Sequence, residues 1–82
     1  MNTPTTTRPL YTIAREIRKE WGAKINYAAK PYLEAMSGLD KVSDNYGYDD
    51  GKSVVLYFLS NASTFRGDAA KRIKAELKAM VK

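Results

Sequence analysis

Ser53-Val54-Val55-Leu56-Tyr57-Phe58-Leu59 holds the longest apolar run of the chain, and whether it is strand or helix decides the fold. Its β-branched and aromatic residues suit a buried strand. A strand needs partners, however, and no other segment offers a comparable run. Residues 50 to 62 therefore read as a helix that is apolar nearly all round, with Asp49 or Asp50 as its N-cap. A helix of that kind belongs at the centre of a fold.

Downstream, Ser60 to Thr64 read as a tight connection. A last helix is expected to start near Ser63 or Thr64 and to bury Phe65, Ala69, Ala70, Ile73, Leu77 and Met80. Upstream, residues 40 to 52 combine turn formers, acids and two tyrosines, which reads as one long loop. Before it, Pro31 has no N–H and restricts Lys30, so it fits the first turn of a short helix. Tyr32, Leu33, Ala35 and Met36 continue that helix. Gly38 and Leu39 read as its C-cap, with Leu39 folding back on Leu33.

A first helix is the most regular of all: Leu10, Ile13, Ala14, Ile17 and Trp21 recur at three- and four-residue steps, with Arg15, Arg18 and Lys19 on the other face and Gly22 as the stop. Residues 1 to 9 lack periodicity and read as a flexible N-terminal tail, leaving residues 10 to 82 as a single helical domain. The expected class is all-α, a small bundle of about four short helices with the hydrophobic third helix at the centre. Its core is expected to be Ile13, Ile17, Trp21, Leu33, Met36, Leu56, Phe58, Leu59, Ile73 and Leu77.

At 82 residues, 44% hydrophobic and 28% charged, the chain has material for one core. A domain of this size buries only about 60% of its unfolded surface, so a deep substrate cleft would draw residues from that core. There is no histidine and no cysteine. The usual general base near neutral pH, the thiolate nucleophile, disulfides and nearly every zinc site are thereby lost. These features argue against an enzyme, a small-molecule substrate and a cofactor.

Fourteen Lys and Arg face nine Asp and Glu, for a net charge of +5. The excess is basic in residues 1 to 30 and 64 to 82, and acidic in residues 31 to 63. Such asymmetry is suited to steering a polyanion. Met1 to Pro9 has no apolar stretch of the secretory kind. The run Val54 to Leu59 is far short of the roughly 20 residues that span a bilayer. The expectation is a soluble, cytoplasmic protein with no membrane contact. In that setting Asn61-Ala62-Ser63, formally a glycosylation acceptor, and Arg66-Gly67-Asp68, an adhesion tripeptide, are chance matches.

Two motifs in the loop fail on inspection. Gly47-Tyr48-Asp49-Asp50-Gly51-Lys52-Ser53 ends like a phosphate-binding loop, but its spacing is one residue short and no apolar strand precedes it. Asp44, Asp49 and Asp50 hint at calcium, yet Tyr46, Tyr48 and Val55 occupy positions where oxygen donors would be needed. Capping and solvation are the expected roles of these acids.

The clearest functional pattern lies on the last helix. On a helical wheel Lys71, Lys74, Lys78 and Lys82 fall within about 80 degrees, with Arg66 and Arg72 at the edges. A row of cations tracks phosphates, steers an acidic protein, or is the wet side of an amphipathic helix. The third and fourth helices with their connection also suit a helix-turn-helix, although Lys positions on a phosphate backbone more than it reads bases. Tyr46 and Tyr48 supply rigid contact area in a Gly and Asp loop. The candidate partner-binding set is Tyr46, Tyr48, Asp49, Arg66, Lys71, Lys74 and Lys78.

The segment Tyr57-Phe58-Leu59-Ser60-Asn61-Ala62-Ser63-Thr64-Phe65-Arg66-Gly67-Asp68-Ala69-Ala70-Lys71-Arg72-Ile73-Lys74-Ala75-Glu76-Leu77 resembles the C-terminal core of small proteins of bacteriophages and other mobile elements. Tyr11-Thr12-Ile13-Ala14 and Pro31-Tyr32-Leu33-Glu34-Ala35-Met36 resemble the same group. That resemblance implies a class, with no residue roles attached: a non-enzymatic protein that docks on a host protein or ribonucleoprotein complex and blocks it, anti-CRISPR proteins being the leading example and a CRISPR effector the implied target. Many such inhibitors are acidic mimics of DNA, whereas this chain is basic. The alternative is a small DNA- or RNA-binding regulator that uses the last helix.

Overall fold

A computed structural model describes residues 8–47 and 49–81. Among these, four α-helices account for most of the chain: α1 Leu10–Trp21, α2 Lys30–Met36, α3 Gly51–Ser60 and α4 Asp68–Met80. Two 3₁₀ turns, Gly22–Lys24 and Tyr27–Ala29, link α1 to α2. The fold is a small all-α domain. α1 packs against α2 and α4, and α3 closes the bundle by packing against the same two helices.

One apolar cluster joins the four helices. α1 contributes Leu10, Ile13, Ala14, Ile17 and Trp21, all on the stripe that its periodicity predicts. Leu33, Ala35 and Met36 come from α2, with Leu39 just beyond it. Val54, Val55 and Phe58 come from α3, and Ala70, Ile73 and Leu77 from α4. The aromatic centre is Trp21. Its indole stacks on Phe65 at 5.0 Å between centroids and meets Phe58 edge-on at 6.2 Å. The Trp21 indole N–H has no acceptor among the described residues. A buried orphan donor costs about 1–3 kcal/mol, so packing area rather than polarity holds this ring in place.

The segment between α2 and α3 is more ordered than a loop of 13 residues suggests. Asn45–Tyr46 (β1) and Asp49–Asp50 (β2) pair antiparallel, Asn45 with Asp50 and Tyr46 with Asp49. Just before this hairpin, main-chain carbonyls cap two helices. The Leu10 and Tyr11 N–H groups of α1 donate to Asp40 O (2.8 Å) and Leu39 O (2.9 Å). At α3, Gly51 N–H donates to Asp44 O (2.6 Å) and Lys52 N–H to Val42 O (2.9 Å). Asp50 completes the α3 cap by accepting from Ser53 N–H at 2.7 Å. That bond holds its carboxyl below the usual carboxylate range. The first N–H groups of a helix have no partner within it, so these bonds fix where α1 and α3 begin. Of the two capping candidates, the cap is Asp50.

Several expectations need correction. The last helix begins at Asp68 and not near Ser63 or Thr64, because Gly67 at φ +111° breaks the helical path. Phe65 is buried as expected, but from the connecting loop. Gly38 has no positive φ. α2 instead ends through tightened turns, with Gly38 N–H donating to Ala35 O and Leu39 N–H to Met36 O. Arg8 and Pro9, assigned to the tail, are held to the domain: Arg8 pairs with Glu16 and Glu76, and Pro9 O accepts from Thr12 and Ile13. The rest of that tail, residues 1–7, lies outside the described residues.

The largest correction concerns α3. Gly51, Val54, Val55 and Phe58 form its buried sector, whereas Lys52, Leu56, Tyr57 and Ser60 face solvent. Leu56, expected in the core, is 45% exposed, and Leu59 is only partly buried. The helix is apolar nearly all round, but only one side of it meets the bundle. Phe58→Ala should therefore cost about 3–5 kcal/mol, against less than about 1 kcal/mol for Leu56→Ala, in urea unfolding followed by circular dichroism.

Gly51 owes its place to close approach. A Cβ there would lie 2.8 Å from Val42 O and 2.9 Å from Lys41 O, both main-chain atoms. On propensity alone alanine is the better helix former by about 1 kcal/mol. Gly51→Ala should nevertheless lower the melting temperature, because it pushes the capping segment away from α3.

Candidate functional site

The candidate residues that are described fall into two groups, Tyr46 and Asp49 ahead of α3 and Arg66 with the α4 lysines beyond it. Asp49 is exposed on β2, immediately before the helix. Tyr46 belongs to β1 and pairs with Asp49 through the main chain. Tyr48 lies outside the described residues. Arg66 is exposed in the loop beyond the C-terminus of α3. Ten helical residues separate the two groups, about 15 Å along the axis. Between them runs the outward side of α3.

The basic stripe of α4 is partly as expected. Lys71 and Lys78 are exposed, but Lys74 is half-buried, its Nζ 5.8 Å from the centre of the Phe65 ring. Burial lowers the Lys74 pKa, and the like charges of Lys78 and Arg66 lower it further. Arg66, Lys74 and Lys78 thus form a mutually repelling cluster. None of the three is in an ion pair among the described residues. Lys82, the last member of the wheel, lies outside the described residues.

Arg72 does not extend this cluster. It turns towards α1, where its guanidinium pairs with Glu16. Arg8 grips both acids: its Nε and Nη2 donate to Glu76 at 2.9 and 2.6 Å, and Nη1 lies 2.9 Å from Glu16 Oε1. Two arginines and two glutamates therefore clasp the chain ahead of α1 to α1 and α4. The pairing with Glu76 chiefly raises the Arg8 pKa, and that with Arg72, then Arg8, lowers that of Glu16. These acids serve a structural clasp.

Two surface features went unnoticed in the sequence. The first is the outward side of α3, where Leu56 (45% exposed) and Tyr57 (53%) stand in solvent. Tyr57 stacks on Tyr32 of α2 at 5.4 Å, so an aromatic pair spans the two helices. The second is a shallow groove between α1 and α2. Tyr11, Arg15, Arg18 and Ser37 line a depression of about 250 Å³. Arg18 is shared with a neighbouring depression of about 210 Å³, which Lys30 and Glu34 also line. Arg15 and Arg18 belong to the polar side of α1 that the sequence shows, but nothing in the sequence places Tyr11 with them or shows that α2 walls them. The described residues hold no group of acids suited to a metal ion. No helix among them is long and apolar enough to cross a membrane.

Compared with family models, curated proteins and solved structures, the chain matches none.

The clasp has a pH signature. Folding lowers the Glu16 pKa, so the pairs of Glu16 stabilise the domain above the unfolded carboxyl value and that contribution fades as pH falls through the folded one. Glu16→Gln should reduce stability near neutral pH and flatten its decline between about pH 5 and pH 2. Denaturant midpoints measured across that range check both outcomes.

Proposed function

We propose that this chain is a non-enzymatic binding protein of the bacteriophage or mobile-element type, which inhibits a host defence complex of the CRISPR kind by docking on it. The observation that carries this reading is the outward side of α3. A domain of this size has few large apolar side chains to spare, yet it leaves Leu56 and Tyr57 in water on the helix that carries its longest apolar run. Tyr57 is braced by Tyr32, which lowers the entropy lost when it is buried against a partner. Aromatic anchors at the middle of an interface carry much of its affinity, while charges at its rim mainly set the association rate. Asp49 at one end of α3 and the Arg66, Lys74 and Lys78 cluster beyond the other supply such a rim, with Lys71 beside it.

A second reading draws on that cluster alone. Cations that repel one another and are in no ion pair among the described residues gain most from a polyanion, which favours a small DNA- or RNA-binding regulator with α4 against the phosphates.

The test is a plating assay. In cells whose CRISPR system targets a phage, expression of the chain should restore plaques. The double variant Leu56→Asp, Tyr57→Ala should lose that effect while keeping the wild-type circular dichroism spectrum. In a purified complex, Tyr57→Ala should speed dissociation and Lys74→Glu should slow association. Plaque numbers unchanged by the wild-type chain across defence types would end this reading.

A further inference from the structure

The groove between α1 and α2 is concave, cationic and separate from the surfaces considered so far. Arg15 and Arg18 lie one turn apart on α1, about 4.5 Å along its axis. Neither is in an ion pair among the described residues, in contrast to Arg8 and Arg72. Arg18 Nη2 donates to Ser37 Oγ at 3.3 Å, and Ser37 Oγ itself donates to Leu33 O at 3.0 Å. The hydroxyl therefore ties Arg18 to the α2 wall and leaves the rest of the guanidinium facing the groove. Lys30 extends the cationic lining past Arg18, and Glu34 is the acid beside it. At the other end, Tyr11 is 44% exposed.

We propose that this groove holds a single strand of nucleic acid, with its phosphates on Arg15, Arg18 and Lys30 and a base stacked on Tyr11. A guanidinium offers a planar fork of donors that matches phosphate oxygens. A cationic track with an exposed aromatic at its end is how proteins bind single strands without reading their sequence. A duplex is too wide to enter so shallow a channel between two helices and would meet only its rim. An acidic peptide would satisfy the cations but would leave Tyr11 without a flat partner. The proposal is independent of both functional readings, because the groove lies on the α2 side of α1 while the α4 cations lie around Phe65.

The experiment uses the whole chain and a fluorescein-labelled oligothymidylate of fifteen nucleotides, followed by anisotropy in 50 mM salt. Binding should weaken with salt at a slope of about −2, from three phosphate contacts at roughly −0.7 each. Arg15→Glu with Arg18→Glu should lower affinity about fiftyfold. Tyr11→Ala should lower it about fivefold or more, the smaller end of what a base stack contributes. The variant Lys71→Glu, Lys74→Glu, Lys78→Glu should bind almost as wild type. Melting curves confirm that each variant is folded. No binding at 50 mM salt would overturn the proposal, as would retention by the arginine variant with loss in the lysine variant. So would equal competition by a polyglutamate peptide of the same charge, or tighter binding of a duplex of the same length.

Discussion

Four main-chain carbonyls between Leu39 and Asp44 hold the start of two helices at once. Asp40 O and Leu39 O take the first N–H groups of α1, while Asp44 O and Val42 O take those of α3. α1 has no side-chain cap of its own, since Pro9 precedes it. Without the carbonyls the donors beside buried Leu10 and Gly51 would lose their partners at the edge of the core, where an unmade bond is costly. The segment therefore acts as a joint: it sets where both helices begin and how they are spaced. Gly51 is the condition for the joint, because a Cβ at that point would strike Val42 O, one of the four carbonyls, and the neighbouring Lys41 O.

The rest of the bundle closes around this joint by two different means. Apolar contact does most of it, with Trp21 between Phe58 and Phe65 bringing α1, α3 and the loop before α4 into one cluster. Charge fastens the remaining side. Arg8, Glu16, Arg72 and Glu76 draw the chain ahead of α1 onto the α1 and α4 pair, an arrangement in which each glutamate meets at least one guanidinium. Partly exposed pairs of this sort contribute little singly and more as a network. A chain with five excess positive charges thus consumes two of its arginines internally and leaves the others at the surface.

What is left at the surface sorts by chemistry. The outward side of α3 carries Leu56 and Tyr57, the α4 side carries the Arg66, Lys74 and Lys78 cluster with Lys74 over Phe65, and the α1 and α2 groove is arginine-rich and concave. The hairpin adds acids beside the start of α3. The apolar area is the one that a stable partner would bury, whereas the two cationic areas act over longer distances and respond to salt.

The sequence by itself determined the helices and most of the core. The period of α1 placed all five of its buried residues, and Pro31, Gly22 and Asp50 marked three of the helix boundaries. These are local signals, written in the residues that obey them. The partition of α3 was beyond reach. Its apolar residues run nearly all the way round, so no periodicity says which of them meet a neighbour, and Leu56 and Phe58 look alike until α2 and α4 are in place. The start of α4 was misplaced for a related reason: Phe65 belongs to the core, but a loop delivers it there. The candidate site was legible only in part. The lysine row followed from spacing, yet the half-burial of Lys74, the diversion of Arg72 to Glu16 and the groove beside Arg15 and Arg18 each depend on which helix packs next to which. Spacing along one helix is a property of the chain, whereas a wall, a stack or an ion pair needs a second element, and tertiary structure alone brings that element to it.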